Sequence, residues 1–215
     1  MHSSSKSRLI VGSIINLTKE SEEHYIALRN YPFSEGSDCI LSSNISDYTL
    51  FLHNGMLFSH LVYNGTDFEA DMNAMGTDKS TPEWCKLFLS MQQPLKYKKD
   101  NEWWSGISLW YSNQLPIRAG EKVLRYAYTF PAPADLQQTV PGDYFGDIDF
   151  WGTTYGLKTL RIFNGVHVVC IYLETLKDSD HLFLLEIIAR VLKTVAEPVT
   201  MDEVFHTERT NSDQD

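Results

Sequence analysis

The sequence predicts an α+β fold made of two successive β-α-β-β-α-β repeats, the ferredoxin-like arrangement. Three observations carry this expectation. The dipeptide Asn-Gly stands twice between apolar, β-prone runs, as Asn54-Gly55 in TLFLHNGMLFSH and as Asn164-Gly165 in TLRIFNGVHVVC. The two copies lie 110 positions apart with Thr-Leu at matched offsets, which points to an internal duplication. After each hairpin comes a helical pattern and then another β-prone run. Asn-Gly is a strong hairpin signal because a type I′ turn needs positive φ at both central residues. A tight two-residue turn is therefore expected in both places.

The remaining elements follow in order. Arg8 to Leu17 (RLIVGSIINL) reads as the first strand and Lys19 to Gly36 as the first helix. The first hairpin supplies two strands, and a helix is expected from about Asp67 to Met91. A loop through Trp104 then leads to a strand near Ile107 to Tyr111. In the second half, Lys122 to Phe130 reads as a strand. PAPADLQQTVPGDYFGDIDFWGTTYG, rich in Pro and Gly, reads as irregular where the first half has a helix. After the second hairpin, Ser179 to Val195 predicts a helix, because Leu182, Leu185, Ile188 and Leu192 recur at 3.6 spacing. Asp178 or Ser179 can cap its start and Pro198 lies beyond its end. Met201 to Glu208 reads as the last strand. The expected organisation is a first repeat over 7–113, a linker over 114–121, a second repeat over 122–208 and a disordered tail over 209–215. Two unrelated small domains are the alternative.

Composition narrows the function classes. The chain has 215 residues, 43% of them hydrophobic and 21% charged, as expected of a globular protein with a sizeable core. A formal net charge of −10 argues against nucleic acid as a partner, since phosphate binding needs clustered Lys and Arg, and Lys96, Lys98 and Lys99 read as a solvated loop. No apolar run approaches the length that spans a bilayer, and MHSSSKSR has no apolar signal core, so a cytoplasmic location is expected. Three cysteines, Cys39, Cys85 and Cys170, have no metal-like spacing, so neither a disulfide framework nor a metal site is expected.

The most informative stretch is Asp67 to Leu95, DFEADMNAMGTDKSTPEWCKLFLSMQQPL. An acidic, Met-rich segment runs through a Thr-Pro helix start into Trp84 and on to a Gln-Gln-Pro stop. This order resembles the second helix of the L-rhamnose mutarotase family, small α+β proteins that interconvert sugar anomers. The resemblance covers roughly Arg8 to Tyr111. In that family a Tyr on the first helix is followed four residues later by a His, a second Tyr opens the second strand, and a Trp pair sits on the second helix. Here Tyr25, Tyr48 and Trp84 take the two Tyr positions and the first Trp position. The second Trp is Cys85 and the His is Arg29, while Phe33 and Glu35 fall where the family has an aromatic and a Glu. The final MDEVFHTE also resembles the family's last strand, which supports the duplication.

The resemblance implies a dimeric α/β barrel fused into one polypeptide, hence a monomer by internal pseudo-dimerisation. It also implies a monosaccharide ligand, no cofactor and no metal. Tyr25, Tyr48, Trp84 and Cys85 are then substrate-binding positions, and Tyr25 and Arg29 stand at the catalytic ones. Mutarotation needs a group that shuttles a proton near neutral pH, and His suits it. Arg29 stays protonated and has no acceptor, so it is suited to holding sugar oxygens or an anion. His24 points off another helix face, and His60 lies opposite Tyr48 by strand parity, where a core role is expected. Tyr144 to Tyr155 is aromatic enough to line or plug a pocket. Three readings stay open: a mutarotase of L-rhamnose or a related sugar, a non-catalytic binder of a sugar or sugar acid, and a different enzyme on the same scaffold.

Overall fold

In the computed structural model, residues 8–29, 40–77, 83–100, 102–133, 145, 148–176, 181–192 and 196–209 are described. The expected class, α+β with ferredoxin-like repeats, is the one observed. The chain divides into two compact units, one of residues 1–106 with 204–215 and one of residues 107–203.

The first unit contains β1 (Leu9–Leu17), α1 (Glu22–Arg29), β2 (Ile45–His53), β3 (Met56–Tyr63), α2 (Phe68–Thr77), α3 (Glu83–Met91) and β4 (Gln92–Gln93). Strand β3 is central: it pairs antiparallel with β1, Ile14 opposite Phe58, and with β2, Phe51 opposite Phe58. Strand β1 also pairs with β4, Leu17 opposite Gln92, which completes the order β4-β1-β3-β2. Alternation of side chains along each strand gives the sheet two faces. On one, Ile15, Leu50, Leu52 and Leu57 are buried in a cluster with Tyr25 and Phe88 of the helices. The other carries Ile14, Phe51, Phe58 and His60, all fully buried.

The second unit contains β5 (Ser105–Gln114) from Ile107 onward, β6 (Val123–Pro131), α4 (Ile148–Tyr155), β7 (Leu157–Asn164), β8 (Val168–Leu176), α5 (Leu182–Val191) and the start of β9 (Val199–Glu208). Its central strand β8 pairs with β6, Tyr128 opposite Ile171, and with β7, Ile162 opposite Ile171. Strand β9 lies beyond β6, Met201 opposite Ala127, which gives the order β9-β6-β8-β7. This repeats the order of the first unit. Strand β5 adds to the far side of β7, Ser112 opposite Arg161. From Val204 onward β9 belongs to the first unit, where it lies beside β2.

Three elements differ from the sequence expectation. The helix expected over 67–91 comprises α2 and α3, with 78–82 between them outside the described residues. The Pro- and Gly-rich stretch contains a helix after all, α4. Its aromatic side chains Trp151 and Tyr155, one turn apart, pack on the sheet and secure a segment of poor intrinsic propensity. The helix expected over 179–195 is described over Leu182–Val191, and both proposed cap residues lie outside the described residues. His181 stands at the N-cap without a side-chain bond to the helix.

The two Asn-Gly turns also differ. At the first, Asn54 and Gly55 have φ of 46° and 73° and His53 pairs with Met56, as a two-residue type I′ turn requires. At the second, Asn164 pairs with Val169 across a longer loop, and neither Asn164 nor Gly165 has positive φ. Glycine is needed there for close approach: a Cβ on Gly165 would lie 2.9 Å from Ile107 Cγ2 and 3.0 Å from the Val168 carbonyl oxygen.

Candidate functional site

The helix-covered face of the first unit holds the positions singled out in the sequence. Tyr25 lies halfway along α1 and is fully buried, its ring meeting Phe88 of α3 edge-on at 5.0 Å. Tyr48 lies near the start of β2, half-buried in the same cluster, with its ring 5.9 Å from that of Phe205 on β9. Tyr25 and Tyr48 are therefore brought to one aliphatic and aromatic cluster, with Trp104 packed against its edge. A polar pair interrupts the aliphatic lining of this sheet face: the Ser13 and Ser59 hydroxyls, on paired strands, are 2.7 Å apart. Aromatic rings that cover C–H surface, with hydroxyls that bond oxygen, are the chemical requirements of a sugar site.

Arg29 ends α1 one turn beyond Tyr25, and Trp84 and Cys85 occupy the first turn of α3. The side chains of these three lie outside the described residues, as do Phe33 and Glu35. His24 is exposed, on a different side of α1 from Tyr25. His60 is fully buried, opposite Thr49 in the β2–β3 register and on the sheet face away from Tyr48.

Other contributors come from distant segments. Phe88, Trp104 and Phe205 join the cluster through the fold, and only the adjacent Trp103-Trp104 pair and the MDEVFHTE strand offered a sequence signal. Trp103 donates its indole N–H to Gln92 Oε1 at 2.9 Å, which fastens the approach to β5 onto β4. On β9, His206 has Nδ1 3.0 Å from Thr49 Oγ1 and 3.7 Å from Asp47 Oδ1, with Glu208 Oε2 3.5 Å from Nε2. Tyr63 donates to Asp71 at 2.5 Å and Asn44 donates to the same oxygen at 2.8 Å. These bonds hold the Asp71 carboxyl below its ordinary range.

The second unit has a different chemistry on each sheet face. On the face away from its helices, Glu174 accepts hydrogen bonds from Tyr172 at 2.7 Å and from Thr159, and Arg125 Nε lies 3.7 Å away. On the same face, Arg161 is buried, donates to Gln114 Oε1 at 3.3 Å and lies 5.7 Å from the Tyr172 ring centre. Burial pushes the neighbouring Cys170 thiol well up, which removes it as a nucleophile. On the helix-covered face, His181 Nε2 lies 2.7 Å from the Tyr128 hydroxyl. Among the described residues no group of three or more His, Cys, Asp or Glu is arranged to hold a metal ion. Nor is any described helix long and apolar enough to cross a membrane.

Comparison with solved structures extends over almost the whole chain. A protein described as a monooxygenase from Fusobacterium nucleatum subsp. nucleatum aligns with TM-score 0.53 at 7% identity, over 95% of this chain and 96% of that one. An anthrone oxidase-like protein aligns with TM-score 0.51 at 11% identity, over 97% and 95%. A protein described as a monooxygenase from Lactobacillus acidophilus NCFM aligns with TM-score 0.54 at 10% identity, over 93% and 96%. At these identities the likeness concerns the fold alone. No curated protein matches the sequence. Residues 11–112 match the family model described as L-rhamnose mutarotase.

Proposed function

We propose that this protein binds L-rhamnose or a related monosaccharide on the helix-covered face of its first unit and interconverts the sugar's anomers. The observation that carries the reading is the convergence of Tyr25 and Tyr48 in one cluster, within the segment that matches the mutarotase family. In the reaction the anomeric hydroxyl gives up its proton, the C1–O5 bond breaks, O5 takes its electron pair and a proton, and C1 becomes a carbonyl. Rotation about C1–C2 and the reverse steps close the ring on the other face. Tyr25, Tyr48 and Trp84 supply rings and hydroxyls to hold the sugar, with Cys85 as a small wall residue. Arg29 bonds its oxygens, and Tyr25, one turn away on α1, is the group that exchanges the proton. The chain supplies both repeats, so the working species is a monomer.

A second reading is favoured by Arg29 itself. Its guanidinium stays charged and cannot take a proton, so a chain with Arg at the family's His position is suited to binding a sugar or sugar acid without turnover. Saturation-transfer NMR with a panel of deoxy sugars, hexoses and uronates reads binding and anomer exchange together. Trp84→Ala is expected to weaken binding about tenfold, the scale of one lost aromatic platform. Wild-type binding to none of the panel, or a Trp84→Ala variant that binds as the wild type does, overturns the proposal for this site.

A further inference from the structure

The last strand is fastened to the first unit around one histidine. From Val204 onward β9 lies beside β2, and its side chains alternate between the two faces of the sheet. Phe205 lies on the helix-covered face, with its ring 5.9 Å from that of Tyr48. His206 lies on the other face, where it meets Asp47 and Thr49, the residues on either side of Tyr48. Its Nδ1 is 3.0 Å from Thr49 Oγ1 and 3.7 Å from Asp47 Oδ1, and its Nε2 is 3.5 Å from Glu208 Oε2. A carboxylate thus stands at each ring nitrogen. One residue beyond Glu208, the Arg209 N–H donates to the Ser46 carbonyl at 2.9 Å and its guanidinium donates to the Leu41 carbonyl.

Imidazole changes charge between about pH 5 and 8, and these surroundings favour its charged form. The His206 and Asp47 side chains are 17% and 19% exposed, and Asp47 Oδ1 and His206 Nε2 are themselves buried, so solvent and salt screen the contact little. Glu208 is 56% exposed and is the weaker partner. The cation donates from both ring nitrogens and the neutral ring from one, while the Thr49 hydroxyl can accept or donate and keeps its bond in either state. In the first unit, β2 presents Asp47 and Thr49 to His206, and β3 places the fully buried His60 opposite Thr49 on the same face. A charge on His60 would compete with one on His206. Partners that favour the cation hold the proton on His206 more tightly in the folded chain than in the unfolded one. Their contribution is therefore fully present below the ordinary histidine value of about 6.5 and is lost as pH rises through the folded-state value.

We propose that His206 is a pH-operated clasp: protonated, it bridges Asp47 and Glu208, holds the end of β9 on β2 and seats Phe205 against Tyr48. When the ring is neutral, that end of the strand loosens. The coupling runs through adjacency, since Phe205 precedes His206 on one strand and Tyr48 lies between Asp47 and Thr49 on the other. The device does not depend on which ligand Tyr48 meets, and its test needs no ligand. The full chain is followed by NMR from about pH 5.5 to about pH 8.5, reading the His206 ring, the Tyr48 ring and amide exchange along β9. After correction for intrinsic exchange, the Arg209 amide is expected to be about threefold better protected at the acid end, the scale of one partly buried ion pair. In His206→Gln, which can still bond Thr49 and cannot charge, that pH dependence is expected to vanish. In Asp47→Asn, His206 is expected to titrate at lower pH than in the wild type, which separates the ion pair from the shape of the contact. A wild-type His206 that titrates at or below the ordinary histidine value overturns the clasp. So does pH-dependent protection that persists in His206→Gln, which would hand the effect to another group such as His60. Tyr48 signals that stay fixed while His206 titrates overturn the coupling to the helix-covered face.

Discussion

The same position in the two repeats holds Phe51 in one and Arg161 in the other, 110 residues later, and both are buried. In the first unit the sheet face away from the helices is apolar at its centre, with Phe51 and Phe58 stacked at 6.1 Å. In the second unit that face carries Arg125, Arg161 and Glu174: Glu174 accepts hydrogen bonds from Thr159 and Tyr172 and pairs with Arg125 at 3.7 Å, and Arg161 donates to Gln114. The helix-covered faces differ in another way, around buried Tyr25 in one unit and a partly exposed aromatic group in the other. A duplicated sheet thus keeps its strand order and parity, which the backbone ladder dictates, while each face finds its own way to satisfy burial. Apolar packing and a network of paired polar groups are both solutions.

The largest expected effects test that equivalence. Phe51→Ala removes a fully buried ring and is expected to cost about 3–5 kcal/mol in urea unfolding. Glu174→Ala strands the Tyr172 and Thr159 hydroxyls and the Arg125 charge, with an expected loss of about 3 kcal/mol. Replacing the anion costs so much because its partners stay behind. A Glu174→Ala protein with the wild-type urea midpoint would show that the polar face contributes nothing, and the comparison of the two faces would fail.

Next in size is Arg29→His. General acid–base groups contribute about 10² to 10⁴-fold, so restoring a shuttle to the first site is expected to speed anomer exchange by at least about tenfold. The gain is partial because Cys85 leaves a small thiol where the family has an indole, and adding Cys85→Trp is expected to raise it further. Exchange broadening of the anomeric signals of rhamnose and fucose reads the rate. A wild type that already exchanges quickly and is slowed by Arg29→His would assign Arg29 to a working mechanism of its own and end the non-catalytic reading.

How much of this was written in the sequence depends on which contacts decide each element. The strands were legible because β-prone apolar runs over 9–17, 45–63 and 157–176, two of them broken by Asn-Gly, are a local signal of sheet burial. Tyr25 and Tyr48 were singled out through the resemblance to the mutarotase family, and the fold brings both to one cluster. Helix α4 was not, because Pro and Gly around it outweigh its propensity and only the packing of Trp151 and Tyr155 on the sheet secures it. Phe88, Trp104 and Phe205 were not legible as members of that cluster, because they reach Tyr25 and Tyr48 through tertiary packing rather than through sequence neighbourhood. The duplication itself was visible, yet it transferred strand order better than it transferred turns.

The two Asn-Gly turns put that last point to the smallest and sharpest test. At Asn54, φ is 46°, a conformation that Asn tolerates and that costs an ordinary L residue roughly 1 kcal/mol. Asn54→Ala is therefore expected to destabilise the protein by about 1 kcal/mol, and Asn54→Gly by much less. Asn164 does not have positive φ, so Asn164→Ala is expected to fall within about 0.5 kcal/mol of the wild type. The glycines behave differently from their neighbours. Gly55→Ala meets strain from its φ of 73°, with no heavy atom closer to the new Cβ than Glu22 Oε2 at 3.8 Å. Gly165→Ala meets Ile107 Cγ2 at 2.9 Å and the Val168 carbonyl oxygen at 3.0 Å. Shortening the Ile107 side chain should therefore rescue Gly165→Ala in part, because the methyl it removes is one of the two clashing atoms. No neighbouring truncation should rescue Gly55→Ala, whose cost lies in its own backbone. Chemical denaturation of the four single variants and of Gly165→Ala with Ile107→Ala separates the two cases. Equal losses at Asn54 and Asn164 would mean that both hairpins turn alike, and the structural distinction between them would be wrong.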